Sequence, residues 1–68
     1  MTKNEQKIYD LLVEKGHTVS DVGYWASFYN RGWYATVDGV DEWLGYDLIE
    51  ALGNIENDEI EFEGSINS

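Results

Sequence analysis

The side chains in this chain that can do chemistry are almost all carboxylates. Fourteen Asp and Glu residues stand against four Lys and Arg, a net charge of −10, with one histidine and no cysteine. Metal capture by soft ligands has no ligand set, because thiolates are missing and His17 stands alone. A lone histidine just past a helix reads as a solvent-exposed residue. An acidic chain invites comparison with a calcium loop, and "NIENDEIEFEG" does set Asn54, Glu56 and Asp58 at alternate positions. Glu59, however, stands where such a loop needs glycine, and Ser65 where it needs a bidentate Glu. No metal and no cofactor is expected.

Catalysis fares no better. A nucleophilic Ser or Thr needs a neighbouring base, and nothing in the context of His17 supplies that pairing. Paired carboxylates can hydrolyse glycosides, but fourteen acids in 68 residues make chance pairs unavoidable. So short a chain also has little room for a pocket of about 300 Å³ or more. "GVDEWLG" lacks the lysine and the strand-to-helix setting of a phosphate loop. The chain reads as a non-catalytic protein.

The charge is distributed unevenly. Residues 1–31 hold four acids and all four bases, a balance of zero. Residues 32–68 hold ten acids (Asp38, Asp41, Glu42, Asp47, Glu50, Glu56, Asp58, Glu59, Glu61, Glu63) and no Lys, Arg or His. Solubility alone is served by mixed-sign surfaces, and one-sign repulsion destabilises a small domain. The pattern reads either as a solvated face kept for solubility or as a surface that presents negative charge to a basic partner.

The elements that carry these groups read as α-β-β-β-α-β. Thr2 and Glu5 have capping-box spacing, Ile8, Leu11 and Leu12 share a face with the stem of Lys15, and Gly16 suits the position past the end. This predicts a helix over 3–15. Residues 18–29 read as a strand with Gly23 as a bulge and strict alternation over 24–29, followed by a turn at Asn30-Arg31-Gly32. A short helix from Ser20 is the competing reading. "GWYATVDG" makes a second strand over 33–38, with Trp33, Ala35 and Val37 on one side and Tyr34, Thr36 and Asp38 on the other. A third strand covers 41–44, after a turn that uses Gly39. Asp47 caps a second helix with Glu50 at its third position; Leu48, Ala51, Leu52 and Ile55 form its stripe, and Gly53 weakens it. "DEIEFEG" alternates as a final strand, Ile60 and Phe62 inward and Glu59, Glu61 and Glu63 outward. "SINS" reads as a frayed tail. The expected fold is α+β: one domain over 1–68, a small antiparallel sheet of three to four strands, and two helices packed on one face.

Eight of the ten aromatics lie between Tyr24 and Tyr46. Alternation puts them on both sheet faces, while two helices cover only one face well. The outer set, Trp25, Tyr29 and Tyr34 or the opposite register, is therefore either exposed or covered by a partner. Direct nucleic-acid binding is opposed by the −10 charge. "TKNEQKIYDLLVEKGHTVSDVGYW" is similar to the opening of winged-helix regulators, with "TVSDV" starting a second helix. That resemblance stops where a recognition helix would need groove-facing basic or amide side chains, since only Arg31 is near.

In overall character, the ten acids after Gly32 beside the aromatic band resemble the small acidic inhibitors of phages and mobile elements. These include anti-CRISPR and anti-restriction proteins, many of them DNA mimics. "SFYNRG" resembles the Tyr-Asn-x-Gly stretch of one anti-restriction family and departs from the rest of its pattern. The resemblance implies a target among host nucleic-acid-handling proteins. The expected partner-binding residues are the anchors Trp25, Tyr29, Tyr34 and Trp43 and the acids Asp38, Asp41, Glu42, Glu56, Asp58, Glu59, Glu61 and Glu63. The alternative is a small assembly module that homodimerises through its aromatic sheet face. "MTKNEQKIYD" has no apolar core of a signal peptide, no run approaches a membrane span, and the absence of cysteine suits a reducing compartment. A cytoplasmic location is the expectation.

Overall fold

The computed structural model describes residues 1–66. The chain begins with helix α1, Lys3–Glu14. Thr2 caps it in a full capping box: its Oγ1 accepts the Glu5 amide at 3.2 Å, and the Glu5 carboxylate accepts the Thr2 amide at 2.7 Å. The helix closes in a Schellman motif, His17 N–H to the Leu12 carbonyl and Gly16 N–H to that of Val13, with Gly16 at φ 95°.

Three strands follow, β1 Val19–Ala26, β2 Arg31–Val37 and β3 Val40–Gly45, in one antiparallel sheet of order β1-β2-β3. The β2–β3 turn is Asp38-Gly39, with φ 52° and 87° between the paired Val37 and Val40. Positive φ at both central positions is what a two-residue turn requires to match strand twist, and an Asp-Gly pair supplies it.

Helix α2, Leu48–Glu56, packs against β3 and α1. Asp47 caps it by accepting the Glu50 amide at 2.8 Å, and Asn54 Nδ2 donates to the Leu44 carbonyl at 2.8 Å. A four-residue helix α3, Glu63–Ile66, ends the described chain.

The core is the space between one sheet face and the helices. Ile8, Leu12, Val22, Ala35, Val37, Leu44, Ala51, Ile55 and Phe62 are buried there, with Leu11, Trp33, Leu48, Leu52 and Ile60 packed around them. Helices lie on one face of a three-stranded meander, the α+β arrangement expected.

Four local readings change. The first strand is Val19–Ala26, ending three residues before the expected Tyr29, and "TVSDV" enters it rather than a second helix. Its register shift falls between Val19 and Asp21, while Gly23 pairs regularly with Tyr34. The β1–β2 turn is Ser27–Asn30, with Ala26 paired to Arg31, so Gly32 lies within β2. Ser27 Oγ holds this loop, accepting the Asn30 amide at 3.1 Å.

The fourth change is the last element. Residues 57–62 are irregular and lead into α3, where a strand was expected. The alternation survives: Phe62 is buried, Ile60 is half-buried and Glu59, Glu61 and Glu63 are exposed. Pairing beside β3 would set that carboxylate row alongside Asp41 and Glu42, a like-charge arrangement that strands avoid. One-sided burial without ladder bonds satisfies the same pattern. Ser65 and Ile66 belong to α3 rather than to a frayed tail; Asn67 and Ser68 lie outside the described residues.

Candidate functional site: the outer sheet face

The sheet face turned away from the helices is built from two rows of side chains. Asp21 and Asp41 both pair with Thr36, so one row reads Asp21–Thr36–Asp41 across the three strands. Gly23 and Trp43 both pair with Tyr34, and Trp25 pairs with Gly32, which gives an aromatic row beside it. Strands lie about 4.8 Å apart, so each row spans roughly 10 Å.

The two glycines are where the aromatic rings lie down. Tyr34 crosses Gly23, and a Cβ there would meet its ring and hydroxyl at 2.7 Å. Its ring stacks on Trp25 with centroids 4.6 Å apart and planes 12° from parallel. Its phenol donates to Asp21 Oδ2 at 3.0 Å, and that bond to a carboxylate raises the Tyr34 pKa. Trp43 lies over Gly32 and donates its indole N–H to the Arg31 carbonyl at 3.0 Å. Tyr46 meets the edge of Trp43 at 4.9 Å. Trp25, Tyr29, Asn30, Arg31, Trp43 and Tyr46 bound an open cleft of about 250 Å³.

Trp25 and Tyr34, stacked on each other, are half-buried, and the exposed rings stand around them. Trp43 is 39% exposed, Tyr46 63% and Tyr29 89%. Thr36 Oγ1 donates to Asp41 Oδ1 at 2.6 Å, which fixes that carboxylate within the row. The arrangement offers flat π surfaces next to oriented acceptors, suited to gripping side chains that are both flat and cationic.

The four expected anchors come together. Trp25, Tyr34 and Trp43 form the aromatic row, and Tyr29 borders the cleft from the β1–β2 loop. The expected acids do not form one surface. Asp41 belongs to the face. Glu56 ends α2 and Asp58, Glu59, Glu61 and Glu63 follow it, with Asp58 at 3.3 Å from Lys15 Nζ. Glu42 lies on the core side, half-buried, where its carboxylate accepts the Glu63 amide and desolvation raises its pKa.

Asp38 is a tether. Its Oδ1 accepts the Thr18 amide at 3.0 Å, its Oδ2 lies 2.9 Å from His17 Nδ1, and Ser65 Oγ donates to the same Oδ2. These bonds, Ser65 first, hold its pKa down at about 2. Ser, His and Asp thus meet in space, which their sequence positions gave no reason to expect. A catalytic relay sets the hydroxyl on one imidazole nitrogen and the carboxylate on the other. Here both address Nδ1, Ser65 Oγ at 3.1 Å, and His17 also packs on Phe62 at 4.5 Å. The geometry is that of a clasp joining the end of α1, the β2–β3 turn and α3.

Sequence reasoning missed Asp21, Thr36 and Tyr46. Asp21 shares parity with Gly23 and Trp25, and the signal was obscured by placing a bulge at Gly23, which breaks that parity. Among the described residues, no three His, Cys, Asp or Glu side chains are placed to hold a metal, and no helix is long and apolar enough to cross a membrane. Compared with known proteins, the chain matches no family model, no curated protein and no solved structure.

Proposed function

We propose that this is a non-catalytic binding protein that docks its outer sheet face onto the Lys/Arg-lined nucleic-acid site of a larger protein and blocks it, as anti-CRISPR and anti-restriction inhibitors of the DNA-mimic type do. The observation that carries this reading is the Asp21–Thr36–Asp41 row laid beside the Trp25–Tyr34–Trp43 row on the sheet face turned away from the helices. Carboxylates at strand spacing stand in for phosphates, and the adjacent rings receive guanidinium groups or the stems of lysines. The acids after α2 extend the negative field and steer approach. Exposed Trp and Tyr supply the anchor area that charge alone does not.

The test is affinity capture from bacterial lysate at low salt, elution with salt, and competition of each eluted protein with duplex DNA. The reading expects a nucleic-acid-binding protein whose DNA binding is displaced by this chain. It also expects Asp21→Lys with Asp41→Lys to lose the capture while circular dichroism stays unchanged. A captured protein that keeps its DNA while bound, or capture indifferent to salt, overturns it. A symmetric dimer through the same face, seen by sedimentation at micromolar concentration, would favour the assembly-module alternative.

A further inference from the structure

The helical side of the molecule carries a second surface. Between α1 and α2 runs an open groove of about 570 Å³, lined by Leu11, Leu52 and Gly53 and rimmed by Asp10, Glu14 and Glu56, with Lys7 at its margin. Ile49 lies one turn before Gly53 on the same side of α2 and is 85% exposed. The apolar strip along α2 therefore continues past the groove.

Gly53 gives this groove its meaning. Glycine inside a helix is unfavourable, and the usual reasons for keeping one are absent here. Its φ is not positive, and a Cβ added to it would meet nothing within 4 Å. The fold itself makes no demand for glycine at this position. What glycine does provide is a bare stretch of helix backbone in the floor of an apolar groove, where another helix can approach closely.

We propose that the α1–α2 groove binds an amphipathic helix of a partner protein, crossing α2 over Gly53, with its apolar stripe on Leu11, Leu52 and Ile49. The occupant is basic along its flanks, because the rim sets three carboxylates against one ammonium on a chain of net charge −10. A second copy of this chain is disfavoured by the same charge. The inference stands apart from the outer-face reading, since the two surfaces share no residue.

The probe is a fluorescein-labelled 14-residue helix of leucines and lysines in amphipathic order, titrated by anisotropy and by amide chemical shifts. Saturable binding is expected, with shifts centred on Leu11, Leu52 and Gly53. A peptide of the same composition in scrambled order is expected to bind at least tenfold more weakly. Gly53→Leu fills the groove floor and is expected to weaken binding tenfold or more. Gly53→Ala is expected to raise the melting temperature while still weakening binding, a combination that a purely structural role for Gly53 does not produce. Equal affinity for the scrambled peptide, unchanged affinity in Gly53→Leu, shifts centred on the indoles of Trp25 and Trp43, or a dimer that buries the groove would each overturn the proposal.

Discussion

Asp38 shows how one residue's environment changes what its charge does. Its carboxyl titrates near 2 instead of the usual 3.8, so the folded state holds it ionised more firmly than the unfolded chain does. A depressed pKa adds stability that is fully present above pH 4 and fades as the pH falls towards 2. Thermal melts followed by circular dichroism should therefore show the melting temperature dropping across that window. Asp38→Asn should start lower at neutral pH and lose part of the drop. Gly32 makes a second prediction at this scale. Its φ of 136° is one that side chains rarely adopt, and a Cβ would also meet the Gly45 carbonyl at 2.6 Å. Gly32→Ala should destabilise by more than about 1 kcal/mol in urea unfolding, and should release the Trp43 indole N–H, visible as a moved proton resonance.

Among the elements, α2 offers the clearest gain and the core the clearest loss. Gly53→Ala should stabilise the fold by about 1 kcal/mol, or about 4–8 °C in melting temperature for a domain of this size. Leu12→Ala and Phe62→Ala remove buried side chains and should each cost about 2–5 kcal/mol, which denaturant titration would register as near-complete unfolding. The helices were legible in the sequence because their signals are local: Thr2 with Glu5, Asp47 with Glu50, and Asp-Gly in the turn all act within four residues. The first half of β1 was ambiguous, since Val22, Trp25 and Ala26 are spaced for a helical face as well as for a strand until pairing with β2 decides. The segment after α2 misled because one-sided burial produces the same alternation with or without a partner strand. Of the candidate site, parity put Trp25 and Tyr34 on opposite sides of their strands from Tyr24 and Trp33 but did not say which side faces out. Tyr29 falls in the loop after β1, where parity no longer applies. The role of Asp38 was not legible, because its partners come from positions 20, 21 and 27 residues away in the chain.

For the molecule as a whole, the −10 charge predicts that folding and the proposed binding respond to salt in opposite senses. Self-repulsion is screened as ionic strength rises, so the melting temperature should climb between 10 mM and about 0.15 M salt, where the Debye length shortens from about 30 Å to about 8 Å. Capture of a basic partner should weaken over the same range. Parallel melts and binding titrations in one salt series check both signs, and a melting temperature that falls with salt would contradict the repulsion argument.

The clasp has a consequence for how the molecule breathes. Ser65 meets His17 across 48 positions of chain, whereas the sheet is a run of adjacent hairpins. Segment 57–66 can therefore detach as a unit, uncovering Phe62 while every strand stays paired. Hydrogen exchange should report two tiers of protection, fast amides in 63–65 and slow ones in β2, and limited proteolysis should nick the chain after α2 before it touches the sheet.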